Sequence, residues 1–428
     1  MTSSSRRVVV TGLGVASAFG VGRPALVEGL ASGRSAIGPM EGLRAELPPG
    51  LGGQLDLPTR EFRNYFDTRV LRLSTMTRQT ILGCIACGDL LQDAGLSVDD
   101  EVHPTRGAYL GSFIMPPAYI KQFNAMNILA RRPDGQELGY VLDDADLEEA
   151  LKKASAFDFL RALPNMPSSH LSIQAGAQGP TCTYLGSDSS GIQAITMAAG
   201  AISDGLADSM IAGGAFCPYQ EVHLAWQFVR GLYSETGAVQ PYAEGRTGTV
   251  PGEGAGLLYL EEREQALARG ATILAEVIGS GQRLSPKGAG EDVSMRADTL
   301  RAALPSGQPD WIGAGATGHG QLDQLEAEGY IEAFGEDGLA ESGLVTITDQ
   351  VGFSGPACSP MNLISALLAA RGEVVPHRDT SLDADEGACA ALASAIGRSG
   401  KVGGGSVVLG SSFSLDGVHA AIAMRVEG

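Results

Sequence analysis

The chain has 428 residues and a formal net charge of −19, from 49 acidic and 30 basic residues. Nucleic-acid binding is dominated by cationic contacts to phosphate, and this balance argues strongly against it. Hydrophobic residues make up 44 %, aromatics only 6 %, and 59 positions are glycine, which suits a tightly turned α/β protein and neither a fibrous nor a disordered one.

No run approaches 18 apolar residues without a charge or a glycine break, so no membrane span is expected. Arg6-Arg7 precede an apolar stretch, but Val8-Val9-Val10-Thr11-Gly12 is short and β-branched. It reads as a first buried strand and not as an export signal. Six cysteines in a chain of this length do not form a disulfide framework. Cys84 and Cys87 make a C-x-x-C inside a helix-period segment with no second pair, so core packing is expected instead of a metal site. The expected compartment is the cytoplasm, and neither a cofactor nor a metal is expected.

Taken in chain order, buried-strand candidates fall at 6–14, 107–113, 180–187, 208–216, 256–262, 273–281, 344–350, 406–413 and 419–426. Helical patterns alternate with them at 23–33, 190–205, 260–270, 293–305, 322–335 and 361–372. Near-continuous apolar strands alternating with helices imply sheets covered on both faces. There are too many strands for one doubly wound sheet. Two similar halves are therefore expected, 1–260 and 261–428. A polar, acidic segment at 133–160 interrupts the first and reads as a surface insertion or a partner contact.

Gly12-Leu13-Gly14 follows a β-branched strand but lacks the third glycine and the downstream acid of a dinucleotide fingerprint. More informative is Gly186-Ser187-Asp188-Ser189-Ser190-Gly191, between a strand and an apolar helix. Enzymes place nucleophiles at such turns because the helix N-terminus stabilises negative charge. No cysteine occupies this one. Asp188 suits an N-cap, and Ser187, Ser189 and Ser190 have no identifiable base. His319 lies in a glycine-rich loop without a visible partner and reads as structural or exposed.

One block carries the strongest pattern: PYAEGRTGTVPGEGAGLLYLEEREQALARGA, with Arg246, Gly248, Gly252 to Gly256 and Arg269 to Ala271. With the opening RRVVVTGLG, GDLLQDAGL and GLADSMIAGGA, it resembles the β-ketoacyl-ACP synthase (ketosynthase) family over nearly the whole chain. The resemblance implies a thiolase fold, with two α-β-α-β-α halves related by a pseudo-two-fold.

It also locates three departures. The family's nucleophilic cysteine aligns with Asp188, its first active-site histidine with Gly315 and its second with Phe353. The family lysine aligns with Thr348, and the glycine-rich gating loop with Ser414-Leu415-Asp416-Gly417-Val418-His419. Condensation needs a thiolate to carry the acyl chain and imidazoles to stabilise the enolate and oxyanion. A family member lacking all three resembles the chain-length factor (ketosynthase β subunit) of type II polyketide systems.

That resemblance implies a heterodimer with a catalytic ketosynthase α subunit. The silent subunit would line part of the acyl tunnel and limit polyketide or polyene length, with the acyl carrier protein docking mainly on the partner. Tunnel or gate candidates carried over in this way are Phe113, Ile114, Met115, Tyr119 and Leu415. The competing expectation is a divergent acyltransferase or hydrolase acting on carrier-bound thioesters through Asp188 and the neighbouring serines.

Overall fold

A computed structural model of the chain describes all residues except 1–5, 42–49, 97–101, 114–159, 286–291 and 378–386 and positions 162, 186, 220, 230, 235 and 415. The acidic segment at 133–160, but for its last residue, therefore lies outside the described residues.

The described strands are β1 (Val8–Ser17), β2 (Gly20–Val21), β3 (Ile37–Pro39), β4 (Leu51–Gly53), β5 (Arg106–Gly111), β6 (Thr181–Tyr184), β7 (Ser209–Phe216), β8 (Gly254–Glu262), β9 (Ala275–Leu284), β10 (Trp311–Gly313), β11 (Gly343–Val345), β12 (Val407–Phe413) and β13 (Val418–Val426). The main sheet path runs β11-β10-β12-β13-β9-β1-β8-β7-β5-β6, with β2 beside β1, while β3 and β4 form a separate pair.

The path contains one pattern twice. Numbered in chain order, β1 and β5 to β8 lie in the order 3-2-4-5-1, and β9 to β13 lie in that same order. The strand senses repeat as well. In each set the second strand pairs in parallel with the third and fourth, and the remaining pairings are antiparallel. The sets meet where Val9 and Val10 of β1 pair with Glu276 and Ala275 of β9.

Two helices lie between the sets. Helix Ser190–Ser203 packs against β5 and β7 on one side and β13 on the other; helix Cys358–Ala370 packs against β10 and β12 and reaches β8. Every residue of the second helix is buried. A helix apolar all round must be covered all round, which explains its place between sheets. Outside, helix Arg78–Asp93 covers β1, β7 and β8, and helix Val293–Ala303 covers β9 and β13.

Gly12 and Gly14 sit within β1, where helix Arg78–Asp93 crosses. A Cβ on Gly14 would lie 2.1 Å from the Ala86 carbonyl oxygen. The glycines thus serve strand–helix approach and not a phosphate loop. Cys84 and Cys87 are buried in that helix, and burial pushes the Cys87 thiol up to about 12.

Two boundaries differ from the sequence pattern. The strand expected at 344–350 ends at Val345, and Thr348–Val351 is helical. Asn362 of the central helix causes the turn by accepting from the Ile347 amide at 3.0 Å. The helix expected from 260 starts only at Arg263, because residues up to Glu262 pair in β8, after which the Glu262 carboxylate caps the Gln265 amide at 2.9 Å. No helix among the described residues is long and apolar enough to cross a membrane.

Candidate functional site

The turn that would carry a nucleophile follows β6. Residues Ser187–Ser189 form a single 3-10 turn before helix Ser190–Ser203. Ser187 holds φ +56°, a left-handed conformation that is strained for a side-chain-bearing residue. The Ser190 hydroxyl donates to the Ser187 carbonyl at 2.7 Å, and Ser412 from β12 donates to the Asp188 carbonyl at 3.2 Å. The residue at the helix cap position is Ser189, whose side chain makes no capping bond. Asp188 stands one residue earlier, because the 3-10 turn adds a step ahead of the helix.

Gly315 lies in the loop between β10 and helix Gly320–Phe334, and two carboxylates of that helix hold the loop. Glu326 accepts from the amides of Gly315 and Ala316, both at 2.9 Å, and from the Tyr242 hydroxyl at 2.8 Å. Asp323 accepts from the amides of Thr317 and Gly318, the Thr317 hydroxyl and the Tyr242 amide. Burial pushes the Asp323 carboxyl up to about 6, against these donors and Arg246. Arg246 approaches Asp323 at 3.7 Å and donates to the carbonyls of Ala243 and Gly320. The arginine of the conspicuous sequence block therefore has an architectural task. His319 caps helix Gly320–Phe334, its Nδ1 accepting from the Leu322 amide at 3.4 Å.

Phe353 forms a β-bridge with Pro251, its amide donating to the Val250 carbonyl at 2.8 Å. Its ring belongs to a buried apolar cluster with Leu224, Leu232, Tyr233 and Cys358. The Cys358 thiol is buried and pushed up to about 11, first by desolvation, so it is no ready nucleophile.

These three elements converge. Asp188, Gly315 and Phe353 line one cavity of about 20 Å³, together with Arg296, Thr317, Leu322, Glu326, Ser359, Ser412 and Phe413. That volume holds about one water molecule. Among the described residues lining it there is neither a thiol nor an imidazole.

The periodicity reading missed Arg296. It is 1 % exposed, with its guanidinium carbon 5.8 Å from the Phe413 ring centroid and Nη1 donating to the Asp292 carbonyl at 3.2 Å. Desolvation lowers its pKa, while Glu326, Asp292 and Glu328 oppose the shift. The signal was present in the sequence: Arg296 precedes Leu300 by one helical turn, so it is a charge on the buried stripe.

Of the tunnel candidates, Phe113 follows β5, with its ring 5.9 Å from Phe216 and 5.1 Å from His223, both edge-on. Burial depresses His223 to about 4, so at neutral pH it is an uncharged part of this cluster. Ile114, Met115, Tyr119 and Leu415 lie outside the described residues.

Comparisons with known proteins agree on the kind of molecule. Residues 5–266 match the family model described as the N-terminal domain of beta-ketoacyl synthase. The chain is 31 % identical over 428 residues to "Nodulation protein E" of Rhizobium sp. (strain N33), covering 98 % of this chain and 99 % of that one. It is 28 % identical over 440 residues to "3-oxoacyl-[acyl-carrier-protein] synthase 2" of Coxiella burnetii, covering 98 % of both. Among solved structures, "The ishigamide ketosynthase/chain length factor" matches with a TM-score of 0.83 and 23 % identity, over 99 % of this chain and 100 % of that one. The fold is the thiolase fold, with its two similar α-β-α-β-α halves.

Proposed function

Because the chain belongs to the beta-ketoacyl synthase family, we propose that it is a non-catalytic ketosynthase-like subunit that pairs with an active ketosynthase and helps set acyl-chain length. The observation that carries this reading is the composition of the cavity at Asp188, Gly315 and Phe353. A condensing site must hold an acyl thioester on a thiolate and present imidazoles to the developing enolate. Here the corresponding groups are a carboxylate, a hydrogen and a phenyl ring. The space left is too small for an acyl group.

The surface supports a partner. Among the described residues, β6 ends the sheet path and is paired on one side only, with β5. Beside this edge, Ile173, Leu185 and Met197 are exposed at 59 %, 46 % and 44 %. An open strand edge beside apolar side chains is a template for pairing with another chain. We assign this edge to the ketosynthase partner and propose two halves, 1–260 and 261–428, with β8 carrying the first strand set on to Glu262 and β9 opening the second at Ala275. The acyl carrier protein is assigned mainly to the partner, since the charge of −19 opposes an acidic carrier.

The test is co-expression with a cysteine-containing ketosynthase, loading from an acyl carrier protein, and intact and native mass measurement. A 1:1 complex with the acyl mass on the partner alone is expected. An acyl adduct on this chain, or turnover by this chain without the partner, would overturn the reading in favour of an acyltransferase or hydrolase using Asp188 and its serine neighbours.

A further inference from the structure

A second and larger cavity, of about 530 Å³, lies apart from the first and shares no lining residue with it. Loop residues 237–241, β11, helix Ala388–Ala395 and the start of β3 enclose it. Its walls are mixed: Leu30, Ile37, Val239, Leu344 and Ile396 stand beside Thr346, Asp349, His377 and Ser394. Its volume lies in the range of small-molecule sites, ~300–1,000 Å³.

Gln350 supplies the polar feature. It is 6 % exposed and lines this cavity, yet its side-chain oxygen has no hydrogen-bond partner among the described residues. Its backbone is fully used: the amide donates to the Ile347 carbonyl at 3.0 Å, and the carbonyl accepts from the Ala36 amide at 2.7 Å. A buried carboxamide oxygen without a donor costs free energy, and such a group at a roomy cavity marks a place for a ligand donor. No lysine or arginine is among the described lining residues, and the titratable groups there are Asp349 and His377.

We infer that this cavity binds a small molecule with a short apolar chain and an amide N–H, the N–H donating to the side-chain oxygen of Gln350. An ester of the same shape fits the walls equally well but has no proton to donate. The inference is independent of the proposed subunit role, because the two cavities are separate.

The experiment uses two matched probes, N-hexylacetamide and hexyl acetate, titrated into the full chain by saturation-transfer NMR. The amide is expected to bind saturably and about tenfold more tightly than the ester, the size of effect expected for one buried hydrogen bond. Gln350→Leu should erase the difference while leaving ester binding in place. Val239→Trp fills the cavity from the loop side and should abolish binding of both, which also covers the case in which Gln350→Leu folds poorly. Equal affinity for the two probes, no saturable binding of the amide at millimolar concentration, or unaltered amide binding in Val239→Trp would overturn the inference.

Discussion

The hydroxyl of Thr348 donates to the carbonyl of Gly315 at 3.3 Å. The ketosynthase resemblance places the family lysine at the first of these positions and the first catalytic histidine at the second. In this chain the two are tied directly to each other. Thr348 is fully buried, its amide bonded to the Thr346 hydroxyl and its own hydroxyl 3.4 Å from the Cys358 sulfur. On the far side of the same loop, Glu326 holds the Gly315 amide. These polar groups are paired with one another, which rigidifies the loop.

Reinstalling the family side chains should therefore fail to reinstate chemistry. A Cβ on Gly315 would lie 3.2 Å from a Glu326 carboxylate oxygen, so Gly315→His must push aside the carboxylate that holds the loop. We expect Gly315→His to destabilise the fold by about 1–3 kcal/mol in urea melts, the usual cost of overpacking. The combined Asp188→Cys, Gly315→His and Phe353→His chain should show no condensing activity above the wild-type background. Restored condensation in that variant would mean that the cavity opens far more readily than its packing implies.

Arg78 and Glu253 give a second stability test. Nε and Nη2 of Arg78 donate to the Glu253 carboxylate at 3.1 and 2.6 Å, and Nη2 also donates to the Leu55 carbonyl at 2.7 Å. Glu253, of the G-E-G-A-G block, is 1 % exposed and also accepts from the Leu55 amide. Arg78→Met leaves that carboxylate buried without its cation. Removing one partner of a buried pair costs ~3–5 kcal/mol, and the partial exposure of Arg78 places this one at the lower end. Chemical denaturation of Arg78→Met and Glu253→Gln reads the loss directly; a change below ~1 kcal/mol in Arg78→Met would show that the pair is dispensable.

Much of this architecture is visible in the chain as letters. β1, β7, β8 and β13 are apolar runs at the expected places, and helix Ser190–Ser203 follows its strand as the turn chemistry requires. β10 went unseen because three residues, Trp311–Gly313, carry no periodicity of their own and are strand only through β11 and β12 on either side. The site divides in the same way. Asp188, Gly315 and Phe353 came from motif register, which is local information. Arg296 enters the cavity from a helix some hundred residues from Asp188 in sequence, and no local pattern states that neighbourhood. The size of the cavity is likewise a tertiary property, set by the rings of Phe353 and Phe413 and by that arginine.

The contribution of Asp89 to stability should fall as pH rises through the weakly acidic range. Burial pushes the Asp89 carboxyl up to about 7, with Asp93 adding to the shift and the Val15 amide and Arg23 opposing it. An unfolded aspartate titrates near ~3.9. Between these values the folded chain holds a proton that the unfolded chain has released, so stability present below pH ~4 is lost progressively up to about pH 7. Asp323, raised to about 6, acts in the same direction. Buried His223 and His419, both depressed to about 4, act in the opposite direction over the same range, so the Asp89 contribution is read as the calorimetric Tm difference between wild type and Asp89→Asn at pH 5 and pH 8. Asp89→Asn keeps an acceptor for the Val15 amide and should raise Tm relative to wild type more at pH 8 than at pH 5. An unchanged pH slope in Asp89→Asn would remove Asp89 from the account.

Cysteine reactivity tests the open sheet edge. Five of the six cysteines are buried, and only Cys182, on β6, is partly accessible. Alkylation requires thiolate and access, and burial pushes Cys87 up to about 12 and raises Cys84 and Cys217 well above the ordinary thiol value. Iodoacetamide on the isolated native chain should therefore add one group, at Cys182, while the unfolded chain takes up six. If β6 is the edge that a ketosynthase covers, Cys182 should become protected in the co-purified complex, with the labelling rate falling at least tenfold. A bulky Cys182 adduct, such as a maleimide-linked fluorophore, should then block complex formation when attached beforehand. Full labelling of Cys182 within an intact 1:1 complex would place the partner on another face of the chain, and assembly unaffected by the adduct would lead to the same conclusion.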